Sequence, residues 1–316
     1  MSDSGKTAFG GSALAAAVIL GLIAPGHAQA PLAARSLSPA VIPAAPATTP
    51  IATPAIGGSA VQQGPAQPAK PAALNPTAAQ IMPAPVACRA PPKLSHLDHP
   101  LLHTARRLAA GEPLVVVAIG SSSTAGAGAS SPAANYPSRL AIELKKLFPG
   151  HEITVLNRGV NGEETHDMMA RFANGVIAEH PQLVLWQVGT NSVLRDQPLD
   201  THAVELREGI EQLKATGADV VLIDLQYAPK VLAKSETQGM EDQIALEAND
   251  ENVDLFHRFG VMRDWHEAQH DSFDVFVSPD GLHMNDWGYA CWAKLLAAAI
   301  ADAANPPVAS AIRPTH

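Results

Sequence analysis

Apolar residues of the chain fall into short runs separated by longer segments in which they recur every three or four positions. Leu114–Ile119 is unbroken and rich in β-branched residues, which is typical of a strand buried on both faces of a parallel sheet. Five runs in all predict strands. They are Leu114–Ile119, Ile153–Asn157, Leu183–Val188, Val220–Leu225 and Val253–Phe256. The longer segments predict helices. They are Pro100–Ala110, Pro137–Phe148, Glu164–Glu179, Leu199–Thr216, Met240–Ala248 and Trp287–Ala304. This alternation predicts one α/β domain over residues 93–316, with a doubly wound, mostly parallel five-stranded sheet between two layers of helices.

Residues 1–92 have a different composition. Residues 1–30 resemble a secretory signal, with Lys6, an apolar stretch too short to span a bilayer comfortably, and small residues around Ala28. An uncleaved N-terminal anchor is the alternative. Residues 31–92 hold fourteen of the 27 prolines and three charged residues, so they bury too little apolar surface to fold. We expect a disordered, partly polyproline II tether that joins the export signal to the domain.

Charge narrows the range of partners. Residues 1–92 contribute +3 to the net charge of −9, so residues 93–316 carry −12. An acidic domain of this kind argues against nucleic acid or an anionic membrane as its main partner. After export the chain would lie in the periplasm or outside the cell, with no stable membrane span after processing.

The two cysteines, Cys88 and Cys291, would then meet an oxidising compartment. One hypothesis is a disulfide that pins the end of the tether to the last predicted helix. The alternative is two unpaired thiols, and the sequence does not supply the Cα separation that a bridge needs.

Reactive or hydrogen-bonding residues follow three of the predicted strands and precede the last helix. The four stretches are GSSST at 120–124, NRGVNGEE at 157–164, VGTNSV at 188–193 and PDGLHMN at 279–285. Parallel strands place their carboxyl ends on one edge of the sheet, where ligands bind in open α/β folds, so the first three stretches should converge. One hydroxyl of residues 121–124 is therefore expected at a site. A turn that only caps a helix or cradles a phosphate is the alternative.

Acyl transfer needs a nucleophile, a base, a carboxylate that orients the base, and donors for the oxyanion. Ser122 is the candidate nucleophile, His283 the base and Asp280 its orienting carboxylate. The backbone N–H groups of Ser122 and Gly162, with the side-chain amide of Asn191, are the candidate oxyanion-hole donors.

In these residues the chain resembles the SGNH (GDSL-type) serine hydrolases over residues 114–304. Ser122 matches the serine of block I, Gly162 the glycine of block II, Asn191 the asparagine of block III, and Asp280 with His283 the final D-x-x-H. The family's GDS is GSS here, with serine at 121 in place of an aspartate that is not the triad acid. The resemblance implies a flavodoxin-like SGNH hydrolase fold, and chemistry without a cofactor or metal.

Two other motifs compete with this assignment. Asp254 and His257 form a second D-x-x-H, but it falls on the fifth predicted strand, where residues three apart point to opposite faces. Residues 266–270, HEAQH, match the H-E-x-x-H zinc pattern, in which both histidines would share one face of a helix. A parallel βα sheet is the wrong setting for that pattern, and a third ligand would have to come from a nearby aspartate.

The favoured hypothesis is an exported serine esterase acting on carboxylic esters, with O-acyl or O-acetyl groups of envelope carbohydrate as substrates. Transfer of the acyl group to a sugar, or action as a lysophospholipase or thioesterase, would use the same residues. The non-enzymatic alternative is a catalytically silent SGNH-like domain that binds polysaccharide.

Overall fold

The computed structural model of the chain describes residues 86–305. The export signal expected at residues 1–30 lies outside the described residues, and so does the expected tether apart from its last seven residues. No helix within residues 86–305 has the length and apolar character that crossing a membrane requires.

All five predicted strands form, and they pair in one parallel sheet in the order β2-β1-β3-β4-β5. Their bounds are Leu114–Gly120 (β1), Ile153–Gly159 (β2), Leu183–Gln187 (β3), Asp219–Ile223 (β4) and Asp254–Phe256 (β5). β3 is buried along its whole length and β1 at all but one residue, as their unbroken apolar runs predict. The order is that of a flavodoxin-like doubly wound sheet, so the expected fold class is confirmed.

Helices connect the strands and cover both faces of the sheet. The α-helices are Leu102–Ala109 (α1), Ser122–Ala125 (α2), Tyr136–Leu147 (α3), Thr165–Met169 (α4), Phe172–Gly175 (α5), Thr190–Leu194 (α6), Leu199–Lys214 (α7), Pro229–Leu232 (α8), Thr237–Asp250 (α9), Arg258–Arg263 (α10), Phe273–Phe276 (α11) and Asp286–Ala304 (α12). Short 3₁₀ turns lie at Pro92–Leu94, Pro132–Ala134 and Ile177–Glu179, and a π-helical turn lies at Asp264–Ala268.

Two groups of helices pack on the sheet. α1 and α3 pack against α12, and the rings of Tyr136 and Trp292 join α3 to α12 with centroids 4.0 Å apart. α4 and α9 pack against α7, where Gly209 lies against the Trp186 ring of β3. Apolar side chains from both groups and the sheet form one buried core.

One predicted helix is broken. The segment Glu164–Glu179 folds as α4, α5 and a 3₁₀ turn rather than as one helix. Its apolar spacing still places Met168, Phe172 and Val176 in the core. Asn174 and Gly175, both poor helix formers, stand at the second break, and this explains why burial follows the pattern while the backbone does not continue.

The segment before Pro92 packs on the domain. Cys88 and Cys291 are joined by a disulfide with their Cα atoms 5.3 Å apart, so the first of the two cysteine hypotheses describes the structure. The carbonyl of Arg89 accepts hydrogen bonds from the indole N–H of Trp265 and the amide of Gln269. These contacts lie on the N-terminal side of residue 93, where composition places the start of the domain.

Candidate active site

The candidate site lies where the order of strands reverses direction. β1 and β3 are neighbours in the sheet, but the chain continues from β1 to β2 on the other side. In doubly wound sheets this switch point leaves a crevice at the carboxyl ends of the two strands. Ser122 follows β1 there, and Asn191 follows β3.

Ser122 is the first residue of α2, a helix of four residues that begins directly after β1. The side chain of Gln187, the last residue of β3, is hydrogen-bonded to this turn. Its Oε1 accepts hydrogen bonds from the backbone N–H and the hydroxyl of Ser121, at 2.9 and 3.0 Å. Ser121 and Ser123 are buried. Of the three serines, Ser122 alone is partly exposed to solvent.

Asp280 and His283 lie on a tight turn just before α12. The turn is closed by an antiparallel bridge between Val277 and Met284 and by a hydrogen bond from the Ser278 N–H to the His283 carbonyl, 2.7 Å long. This turn brings the carboxylate of Asp280 beside the imidazole of His283, three residues later in the chain.

The structure brings Ser122, His283 and Asp280 into one line of contacts. Nδ1 of His283 lies 2.5 Å from Oδ2 of Asp280, and Nε2 lies 2.8 Å from Oγ of Ser122. A carboxylate can only accept, so Nδ1 carries the proton and Nε2 is free to accept from the Ser122 hydroxyl. In this tautomer the imidazole can take the serine proton as the hydroxyl oxygen attacks a carbonyl carbon.

Asp280 stays ionised in this setting. Partial burial opposes its charge, but hydrogen bonds from the His283 ring, the backbone N–H groups of His283 and Leu282, and the Ser278 hydroxyl hold the pKa of Asp280 well below its usual value. The Ser278 hydroxyl lies 2.8 Å from the carboxylate. A carboxylate that remains charged stabilises the imidazolium formed when His283 accepts a proton.

The three donors that the sequence predicts for an oxyanion hole each keep an N–H that could bind a ligand. The N–H groups of Ser122 and Gly162 make no hydrogen bond to another group within residues 86–305. The amide of Asn191 donates one of its two hydrogens to the Glu163 carbonyl at 2.7 Å, which leaves the other for a ligand. Gly162 has φ +81°, a conformation that favours glycine.

The alternative motifs form different structures. The carboxylate of Asp254 accepts hydrogen bonds from the backbone of residues 98 and 99, while His257 faces Asp224 instead. Residues 266–270 do not lie on a regular helix, because a π-turn ends at Ala268 and His270 has φ +62°.

The residues of this HEAQH stretch make contacts within the protein. The ring of His266 stacks on Phe273, and Glu267 accepts a hydrogen bond from the Tyr227 hydroxyl. No three His, Cys, Asp or Glu side chains of the described part are arranged to hold a metal ion.

Sequence reasoning missed two residues that position His283. Ser278 holds Asp280, as described above, and only its proximity in sequence to D-x-x-H could have indicated it. Gly128 has φ +85°, and a Cβ added there would come within 2.9 Å of the His283 Cβ and 2.4 Å of the Met284 carbonyl oxygen. Gly128 lies far from His283 in sequence, so only the folded chain reveals this contact.

The order of the strands and the serine turn at the switch point define an SGNH-type α/β hydrolase fold. The chain belongs to the Non-GDSL lipase-like family, whose model matches residues 87–306. The resemblance to the SGNH hydrolases is confirmed only in part, because the matching family is described as non-GDSL, whereas the sequence motifs resemble the GDSL type.

Comparison with known proteins gives three further likenesses. An arylesterase of Vibrio mimicus is 32% identical over 95 residues, which are 30% of this chain and 46% of that protein. A two-domain esterase active on acetylated mannans, co-crystallised with mannopentaose, superposes with TM-score 0.58 at 20% identity over 67% of this chain and 56% of that chain. An acetyl xylan esterase superposes with TM-score 0.51 at 19% identity over 59% of this chain and 100% of that chain.

These matches differ in what they establish. The chain spans about half the length of the arylesterase and of the mannan esterase. At these identities the two solved structures establish a shared fold.

Proposed function

We propose that the protein is an exported serine esterase in which Ser122, His283 and Asp280 hydrolyse carboxylic esters. The hydrogen bond from Ser122 to His283, 2.8 Å long, carries this proposal. Ser122 and His283 are 161 positions apart in sequence, yet the hydroxyl contacts the imidazole. The carboxylate of Asp280 already orients that imidazole. A serine with only a structural role would not require its histidine partner to be oriented by a carboxylate.

The reaction proceeds in two balanced steps. Ser122 Oγ attacks the ester carbonyl carbon while His283 Nε2 takes its proton, and the N–H groups of Ser122 and Gly162 with the Asn191 amide stabilise the oxyanion. The bond to the alcohol then breaks and the alcohol leaves with the proton from His283. Water attacks the acyl-serine by the same route, which releases the acid and returns the proton to Ser122.

O-acetyl groups on carbohydrate are the substrate class that we propose. Two of the structural neighbours are named as esterases of acetylated mannan and of acetyl xylan, and a relative in sequence is named an arylesterase, so ester hydrolysis recurs among them and acetyl groups occur in two. Export is part of the proposal, and it is supported by the Cys88–Cys291 disulfide, since such bonds persist in oxidising compartments.

Labelling with a fluorophosphonate probe tests the assignment of the nucleophile. We expect the wild-type protein and Ser123→Ala to be labelled and Ser122→Ala to remain unlabelled. Ser123 is the matched control because it is the adjacent serine and its side chain is buried. An unlabelled wild-type protein, or labelled Ser122→Ala, would contradict the proposal.

Product analysis tests the substrate class. Purified protein should release acetate from acetylated mannan or xylan and from aryl acetates, with much slower cleavage of long-chain lipid esters. Preference for the lipid esters would overturn the carbohydrate assignment and leave the esterase assignment standing. Acyl label retained on a sugar acceptor would show that the protein is a transferase.

A further inference from the structure

Arg195 contacts the loop that carries Gly162. It follows α6 directly and lies one helical turn after Asn191. Its Nη2 donates to the carbonyl oxygen of Gly162 and its Nη1 to Oε1 of Glu164, both at 2.7 Å. One guanidinium therefore binds two of the three residues that separate Asn161 from α4.

Both sides of the loop are anchored, since the Val160 N–H donates to the Gly120 carbonyl and the Glu163 carbonyl accepts from the Asn191 amide, but Gly162 itself has few contacts. Apart from Gly162 and its two chain neighbours, Nη2 of Arg195 is the one heavy atom of the described residues within 4 Å of the position that a Cβ would occupy there, at 3.5 Å. Within residues 86–305 the Gly162 carbonyl accepts no other hydrogen bond. The preceding residues, Val160 and Asn161, are exposed. Gly162 would therefore be the least restrained part of the candidate oxyanion hole if Arg195 were absent.

The second partner of Arg195 is itself fixed. Glu164 is the N-cap of α4, where its carboxylate accepts from the backbone of Asp167 and its N–H donates to the Asp167 carboxylate at 3.0 Å. The Glu164 side chain is 14% exposed, whereas that of Arg195 is 50% exposed. The ion pair thus binds the half-exposed Arg195 to the N-cap of α4, and Nη2 of the same guanidinium donates to the Gly162 carbonyl.

We propose that Arg195 is a positioning residue that holds the N–H of Gly162 in the oxyanion hole. This inference rests on the proposed esterase function. Oxyanion donors lower the barrier only if they are oriented before the charge develops, and a glycine at positive φ has many other conformations available. By fixing the Gly162 carbonyl, Arg195 restricts the residue to the conformation in which its N–H faces the site.

Substitution of Arg195 should reduce turnover more than binding. Hydrolysis of 4-nitrophenyl acetate by Arg195→Met should show kcat lowered about tenfold to a hundredfold, somewhat less than complete loss of one oxyanion donor. KM should stay within about twofold, because the oxyanion is absent in the ground state. Fluorophosphonate labelling of Ser122 should slow by a similar factor, because its phosphoryl oxygen occupies the same hole.

Arg207→Met is the matched control. Arg207 is 47% exposed and forms an ion pair with Glu247 between α7 and α9, so its loss removes the same kind of contact away from the rim. The two variants should lose similar amounts of thermal stability, and only Arg195→Met should lose kcat. Equal kcat values in the two variants, with wild-type labelling intact, would overturn the positioning role. Absence of labelling in the wild-type protein would instead overturn the esterase function itself.

Discussion

The same four-residue pattern, D-x-x-H, occurs twice in this chain and forms two different structures. At residues 280–283 the carboxylate and the imidazole are hydrogen-bonded to each other, and the ring continues to Ser122. At residues 254–257 the two side chains have separate partners. Asp254 is 3% exposed and accepts from the backbone of Asp98 and His99, whereas His257 Nδ1 lies 3.8 Å from Asp224.

The backbone between the two residues explains the difference. Asp254 begins β5, and side chains three positions apart on a strand point to opposite faces. Asp280 begins a turn that the Ser278–His283 hydrogen bond folds back on itself. A motif of this length therefore has chemical meaning only in a conformation that brings its ends together, and four predictions follow from comparing the two copies.

Replacement of the histidines should give the largest contrast. His283→Ala should lower kcat/KM for an aryl acetate by about 10⁵-fold or more, because no other group can take the proton of Ser122. His257→Ala should stay within about twofold of wild type, since His257 lies outside the line of contacts. Steady-state kinetics with both variants at matched folded fraction would check this, and comparable losses in the two would refute the assignment.

Replacement of the aspartates should separate catalysis from stability. Asp280→Ala should lower kcat by about 10⁴-fold because His283 loses the group that sets its tautomer. Asp254→Ala should leave kcat unchanged and lower the free energy of unfolding by about 1–3 kcal/mol, because two partly buried N–H groups lose their acceptor. Urea denaturation and initial rates distinguish the two outcomes. A large activity loss in Asp254→Ala would speak against the separation.

A glycine lies beside each histidine, and alanine should have opposite consequences at the two. A Cβ at Gly128 would lie 2.9 Å from the His283 Cβ with φ at +85°, so Gly128→Ala should reduce kcat about tenfold or more and add about 1–3 kcal/mol of strain. A Cβ at Gly260, in α10, would lie 3.6 Å from the His257 Cβ and meet the flexible end of Leu94. Gly260→Ala should keep full activity. Melting temperatures and kcat for this pair test whether crowding at His283 matters.

The smallest expected contrast concerns pH. The pKa of Asp280 is lowered despite partial burial, through its hydrogen bonds to His283 and the turn, so its contribution to stability is present above the usual value near 4 and is lost as the pH falls below it. Burial raises the pKa of Asp254, so its charge costs stability as the pH rises through that pKa. The effect of Asp280 is modest because its side chain is 42% exposed.

Melting curves between pH 3 and 7 measure this contrast. Asp280→Asn should flatten the loss of melting temperature on the acid side, and Asp254→Asn should flatten the loss above about pH 4. Wild-type pH dependence in both variants would show that neither carboxyl group contributes to the profile.

The sequence pattern predicts most of the fold. Apolar runs identify all five strands, and the unbroken run of β1 belongs to a strand covered on both faces, which needs no polar alternation. β2 lies at the edge of the sheet and is mostly half-buried. Apolar spacing also identifies which residues of 164–179 are buried, although it misses the breaks in that helix. The second break falls at Asn174 and Gly175, whose low helix propensity could have indicated it.

The residues of the candidate site could be predicted from the sequence, but most of the residues that hold them in place could not. Ser122, Gly162, Asn191, Asp280 and His283 follow strands or a turn at one edge of the sheet, and the structure brings Ser122 to His283 and His283 to Asp280. Their catalytic roles remain predictions for the experiments above. Gly128 and Arg195 belong to no motif, because each contacts residues far away in sequence. Ser278 lies two residues before Asp280, so only its place beside the D-x-x-H could have indicated it.

By itself the sequence determined the kind of fold and the set of reactive residues, since burial period and strand ends are local properties of the chain. The tertiary structure alone decided which of the two D-x-x-H motifs reaches a serine and how the Gly162 loop is held. It also decided that Cys88 bonds to Cys291. These outcomes join residues far apart in sequence, and their distances exist only once the sheet and its helices have packed.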